Sequence, residues 1–344
     1  MEAMISEEEF RKIISGFSIV DCAVRNKDFL HFMSVNTKEA ENADVFSQTT
    51  VGKRAIVFMP TRPYGARAGR IHLTGWETMQ ICGSQHNEDK IVCVEAYANI
   101  YAAGGGQAEK EDPIPKGPDG PCRGAIQRVR MIDGMLYAAG GWNTVCRRRG
   151  RNDWESLCLN LPVPKSNKFD IEESEIMGLE DIDGFARDDL YVIAGKGVVW
   201  HCDGKEWRQL PFPSNMLMLS ICCAGDGQVY IGAQSGSLFR GRGDRWDIVE
   251  RGQMSLPFQD IVWHAGRLWC TSDYGLWTLE KNRIVRADVP SEISVCAGHL
   301  SAADGVMLMA GANGAAYHDG DRWHSIFLYH EMAQAMREDL GNKP

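Results

Sequence analysis

The chain reads as an all-β protein, a β-propeller of seven four-stranded blades with a short helix at each end. Three observations predict this. A phrase of Gly, two polar residues and Trp recurs at Gly204-Lys205-Glu206-Trp207, Gly243-Asp244-Arg245-Trp246 and Gly320-Asp321-Arg322-Trp323. Its tryptophans stand 39 and then 77 residues apart, with a degenerate copy, Lys281-Asn282-Arg283-Ile284, inside the longer interval. A fixed period of about 40 residues marks a repeat architecture, and four short strands per period mark a propeller blade.

The second observation is what precedes each phrase. Leu190-Tyr191-Val192-Ile193 and Val198-Val199-Trp200 come before Trp207, and Val229-Tyr230-Ile231 and Leu238-Phe239 before Trp246. Leu268-Trp269-Cys270 and Leu276-Trp277 come before Ile284, and Met307-Leu308-Met309 and Ala315-Ala316-Tyr317 before Trp323. Short runs of this composition, broken by Gly, read as strands. Third, Asp203-Gly204 and Asp319-Gly320 fall between runs, where Gly supplies the positive φ of a tight hairpin. The first strand of each unit is expected to be short and apolar. The Trp is expected to pack between neighbouring blades, since one sheet cannot bury its faces alone.

From the N-terminus, Ser6-Glu7-Glu8-Glu9 is a capping box opening a helix over 6–14. Runs at 17–24, 29–35, 54–59 and 70–73 form a first blade, and 78–83, 90–96 and 99–103 a looser second one. Residues 125–131, 135–140, 145–149 and 154–158 form a third, and 176–182 opens the fourth. With the three remaining units the blades occupy 17–327. Leu328, Met332, Met336 and Leu340 step by four and predict a C-terminal helix over 328–340. The whole, residues 1–344, reads as a single domain.

Hydrophobic content of 44% and charged content of 24% are those of an ordinary globular protein. No run approaches a membrane span, and the acidic opening Met1–Glu9 does not read as a signal peptide. Most of the eleven cysteines sit inside strand runs as small hydrophobes. That usage suits a reducing compartment, so the expected location is the cytoplasm. The net charge of −9, from 46 acids against 37 bases, opposes binding to nucleic acid or anionic membranes and favours a basic protein partner.

Motifs for chemistry are missing. Gly195-Lys196-Gly197 is no P-loop, Gly232-Ala233-Gln234-Ser235-Gly236 is no nucleophile elbow, and no Cys or His spacing suits zinc. No metal and no cofactor are expected. Arg147-Arg148-Arg149 falls on a strand, where alternation divides its charges between two faces, and reads as a solvated hairpin edge.

The strongest functional signal is acidic. Nine carboxylates stand between Phe169 and Asp189 against one base, Arg187. Residues 160–175 form the longest connection between regular blades, and long loops in compact domains often carry function. Asp170, Glu172, Glu173 and Glu175 are therefore the candidate docking residues. Residues 104–124, with four prolines, read as a second long surface loop. Turns between second and third strands are further candidates, with Trp142, Asp273 and Tyr274 as contact residues and the two aromatics as anchors.

The Gly-x-x-Trp units resemble degenerate Asp-box blades of sialidase-like propellers. The likeness covers the turn Gly and the Trp; Trp200 and Cys202 occupy the Ser and Asp slots in one blade, and Phe239 and Gly241 in another. In fold, size, compartment and charge the chain also resembles the acidic β-propeller immunity proteins that bacteria keep in the cytoplasm against secreted nuclease toxins. That resemblance implies a non-enzymatic inhibitor of a basic toxin. The alternatives are an enzyme acting on sugars or lactones and an assembly scaffold that uses the C-terminal helix.

Overall fold

The computed structural model describes residues 3–85, 91–104, 106–165, 170–272 and 275–341. Its strands form seven four-stranded sheets in which strand order follows chain order: residues 17–73, 79–111, 126–156, 179–210, 218–250, 260–286 and 299–328. We number these blades 1 to 7. The fold class is the all-β, seven-bladed β-propeller that the repeat predicts. The chain divides into two compact units, one of residues 1–83, 271–277 and 286–344, the other of residues 84–270 and 278–285.

In the first unit the capping box forms as expected. Ser6 Oγ accepts from Glu9 N at 3.2 Å, and Glu9 Oε2 accepts from Ser6 N at 2.9 Å. The helix α1 (Glu7–Glu9) continues as a wider π-helical turn, Phe10–Ile14. Ile5, Phe10 and Ile14 are buried with Leu308, Ala315, Ile326 and Phe327 of blade 7. Glu9 also accepts from Ala68 N at 2.9 Å, and Met4 N donates to Ile326 O at 3.0 Å. The N-terminal segment thus ties blade 1 to blade 7. The C-terminal helix, Tyr329–Gly341, packs Met332 into the same core, and Tyr329 Oη donates to Phe17 O at 2.7 Å. Both terminal helices cover their own propeller unit.

The hairpin phrase behaves as its residues demand. In blade 4, Gly204 has φ +86°, and Asp203 Oδ1 accepts from Lys205 N and Glu206 N at 3.0 Å each. Trp207 is buried and its Nε1 donates to Leu157 O, just beyond blade 3, at 2.7 Å. In blade 7, Gly320 has φ +98°, and Asp319 Oδ1 accepts from Asp321 N and Arg322 N. Burial by itself would raise the Asp319 carboxyl. The Arg322 N–H, the His324 imidazole at 2.6 Å and the Asp321 N–H outweigh it and hold the carboxyl well below its usual range.

Three expectations are corrected. Within 104–124, Gln107–Glu111 is not loop but the fourth strand of blade 2. Its first four residues are exposed, and three of them, Gln107, Glu109 and Lys110, are polar, so it carries no apolar alternation to read. Second, Arg148 does not lie on a solvated edge. It is fully buried and pairs with buried Glu111 at 2.6 Å, whereas Arg147 and Arg149 point to the other side and pair with Glu155 and Asp153. Third, the first strands are not simply apolar. Asp21 in blade 1 sits at a register shift and accepts from Cys22 N and from Ile81 N of the next first strand, at 2.9 and 2.8 Å.

All eleven cysteines are free thiols and ten of them are buried. Burial pushes Cys146 and Cys222 well above the usual thiol range and Cys296 up to about 12, so these are packing residues rather than nucleophiles. As strand alternation predicts, Cys222 is buried and its neighbour Cys223 is not fully so.

Glu111→Gln removes the Glu111 charge from buried Arg148 and should destabilise the protein by about 3–5 kcal/mol, read as a lower denaturant midpoint. Replacing both residues together, Glu111→Leu with Arg148→Met, should cost clearly less. Because the folded Asp319 carboxyl is depressed, its contribution is complete above about pH 4 and is lost as the pH falls below it. Asp319→Asn should therefore lower stability at neutral pH and flatten part of the acid limb, so that variant and wild type converge as the pH falls through that range.

Candidate functional site

In the second unit, blade-to-blade connections and the turns between second and third strands emerge at the same end of the blades. The connection from blade 3 to blade 4 carries a helix, Ile171–Met177, which we call α2 in this subsection and after. Asp170 is its N-cap: extended backbone at φ −123°, with a side chain that accepts from Glu173 N at 3.0 Å. Ser174 Oγ donates to Ile171 O at 2.8 Å. The far end is satisfied by neighbouring turns. Gly195 N donates to Glu175 O at 3.0 Å and Asn143 N to Met177 O at 2.7 Å, which answers two of the carbonyls that a helix end leaves open. A Cβ at Gly195 would lie 2.8 Å from Glu175 O, so glycine permits this approach. Ile176 packs against the core that holds Leu161, Leu179 and Ala194, and Met177 at the end of the helix is buried.

The sequence candidates gather here in part. Asp170 precedes α2, and Glu172, Glu173 and Glu175 lie on it. Trp142 belongs to the turn that Asn143 ties to the helix, and both residues hold φ +56°. A left-handed Trp is costly backbone, and such strain clusters at functional positions. Asp273 and Tyr274 lie outside the described residues. The surface continues across unit 2 through Gly197 N to Met216 O at 3.2 Å, and through Gln234 N to Leu217 O at 2.8 Å.

Charge and apolar surface are mixed at this end. The Glu172 side chain is 76% exposed and the Glu175 side chain 49%, and Lys196 Nζ stands 3.5 and 3.1 Å from their carboxylates. Ion pairs this open are weak and screened, so the carboxylates remain accessible to a partner. The blade-to-blade connections at this end also carry exposed apolar side chains, Ile171 at 68%, Val163 at 48% and Leu217 at 43%.

The remaining acids of the stretch 170–189 go elsewhere. Asp189 pairs with His201 at 2.9 Å and Arg242 at 2.5 Å. Asp181 is fully buried on the first strand of blade 4. It accepts from Ile182 N and Ile221 N, and meets Arg130 at 2.9 Å and Arg128 at 3.2 Å. Arg128 also meets Asp260 at 3.1 Å, and Asp183 lies 3.4 Å from Arg130 while accepting from Cys223 N. Burial alone would lower the Arg130 guanidinium, but Asp181, Asp183 and Asp260 raise it, so it stays charged. This cluster joins the first strands of blades 3 to 6, with three carboxylates held by two guanidiniums and by backbone N–H groups. Sequence reasoning missed it, although Arg128-Val129-Arg130 and Asp181-Ile182-Asp183 carry the signal, charges two apart on one strand face.

Among the described residues no group of three His, Cys, Asp or Glu side chains is arranged to hold a metal, and no helix is long and apolar enough to cross a membrane.

No protein-family model matches the chain. Two solved structures share its fold at 10% identity: the WD40 β-propeller domain of Doa1, with a TM-score of 0.55 over 87% of this chain and 91% of that one, and Saccharomyces cerevisiae Sqt1, with 0.57 over 91% and 85%. A curated protein, Immune protein Tsi7 of Pseudomonas aeruginosa, is 31% identical over 317 residues, 92% of this chain and 99% of the relative. A match of that identity running through nearly every blade places the chain in the Tsi7 immune-protein family.

Proposed function

We propose that the chain is an immunity protein that neutralises a basic protein toxin by binding it at the α2 end of unit 2, without catalysing a reaction. The likeness to Immune protein Tsi7 along nearly the whole chain carries this reading. Asp170, Glu172, Glu173 and Glu175 supply the charge that draws in a basic partner, and Trp142, Ile171 and Val163 supply apolar anchors. Complementary charge speeds encounter, whereas a few well-packed apolar or aromatic residues hold the complex. Asp273 and Tyr274 belong to the same proposal as contact residues. The partner's basic groups would be those that otherwise hold phosphate, which fits a nuclease. Eleven free thiols and a net charge of −9 suit a cytoplasmic protein that leaves nucleic acid and membranes alone.

Neutralising the four acids tests the electrostatic part. The set Asp170→Asn, Glu172→Gln, Glu173→Gln and Glu175→Gln keeps a side chain able to cap the helix. Its association with the purified toxin partner should slow by about 10-fold at low salt, and the gap should close as salt rises. An unchanged association rate would remove α2 from the interface. In the free protein, Asp170→Ala should cost the helix about 1 kcal/mol. That loss should appear as faster amide exchange at Glu173, with little change in global unfolding.

A further inference from the structure

The most exposed apolar side chains among those described lie in the other unit. The connection between the second and third strands of blade 1 runs over residues 37–52 and presents Phe46 at 89% and Val45 at 77% exposure. Nothing in the sequence pattern marks this pair. Leaving a Phe in water forfeits the gain of burying it, so an ordered loop that holds one out calls for an explanation.

The loop is ordered by its own bonds. At the tip Asp44 Oδ1 accepts from Phe46 N at 2.9 Å and from Ser47 Oγ at 2.7 Å, and Asp44 N donates to Ser47 Oγ at 2.8 Å. Gln48 Nε2 donates to Asp44 O at 2.9 Å. At the base, Lys53 is 1% exposed and its ammonium donates to the carbonyls of Gln48, Val51 and Trp76 at 2.8, 2.9 and 2.7 Å. Glu39 accepts from Gly52 N at 2.7 Å and closes the loop's two ends. The tip is therefore presented in a fixed shape, which lowers the ordering cost of docking it. Within 37–52 stand Glu39, Glu41 and Asp44 against Lys38. The Ser47 hydroxyl and the Phe46 N–H hold the Asp44 carboxyl below its usual range, so that charge persists into acid.

We infer that the Val45–Phe46 tip is a second anchor for the protein toxin, inserting into an apolar pocket rimmed by Lys and Arg. The inference rests on the toxin-binding reading above, and the acids around the tip select a basic partner over an anionic one. The α2 acids act before contact and the tip acts after it, so they should appear in different rate constants.

The test uses the full chain and the toxin recovered as a one-to-one complex with tagged wild-type protein. Val45→Ser with Phe46→Ser changes two solvent-facing side chains, so the thermal midpoint should hold. Dissociation should become about 10- to 100-fold faster, with association changed less than about twofold. Phe46→Leu should fall between the wild type and the double variant. Unchanged dissociation in the double variant overturns the tip as an anchor. If the neutralised α2 set still slows association in that case, the toxin-binding reading stands alone. Loss of a wild-type self-association in the double variant would make the tip a contact between copies, and loss of flotation with phosphatidylcholine vesicles would make it a lipid contact; either overturns the inference. Failure of any protein to co-purify one-to-one overturns both readings.

Discussion

A four-stranded sheet of this size cannot bury both its faces, so every blade depends on its neighbour. Within unit 2 that dependence is concentrated at the first strands. Asp181 bonds its own strand, the backbone of the next one and two arginines, and Asp260 extends the cluster to blade 6. Asp21 makes the backbone half of the same link in unit 1. Fixing the first strands fixes where each blade's turns and connections emerge. A docking surface made of such segments can be preorganised only because that inner seam is.

This also explains how one run of acids can have three roles. Asp170 to Glu175 project from a helix at the blade end, Asp181 and Asp183 turn inward by strand alternation, and Asp189 is held by His201 and Arg242. Carboxylates already held by arginines and backbone N–H groups are less available to a basic partner. Accessible ones on α2, next in sequence to exposed Ile171, suit recognition. The proposed docking surface draws on these accessible carboxylates and leaves the buried ones to hold the blades together.

Much of the fold was legible. Gly204 and Trp207 announce a hairpin and an inter-blade contact, and both are found as read. The fourth strand of blade 2 was not legible, because Gln107, Glu109 and Lys110 face water and leave no apolar period. Arg148 looked like one of three surface arginines because its partner, Glu111, is 37 residues away in sequence and on another blade. The acidic docking candidates were visible as charge, but their helix was not. The hint was Asp170 standing three residues before Glu173, the spacing of an N-cap box, in a segment too short for helical periodicity. Val45 and Phe46 left no trace, because an apolar pair in a polar loop looks the same whether it is buried or displayed.

A toxin docked on the turns and connections at the α2 side of the blades must shield the amides there from solvent. Amide hydrogen exchange of the chain, alone and in its one-to-one complex, tests this most directly. Exchange should slow over residues 141–144 and 170–177. Protection confined to the opposite hairpins, 203–206 and 243–245, with the α2 amides exchanging as in the free chain, would contradict it.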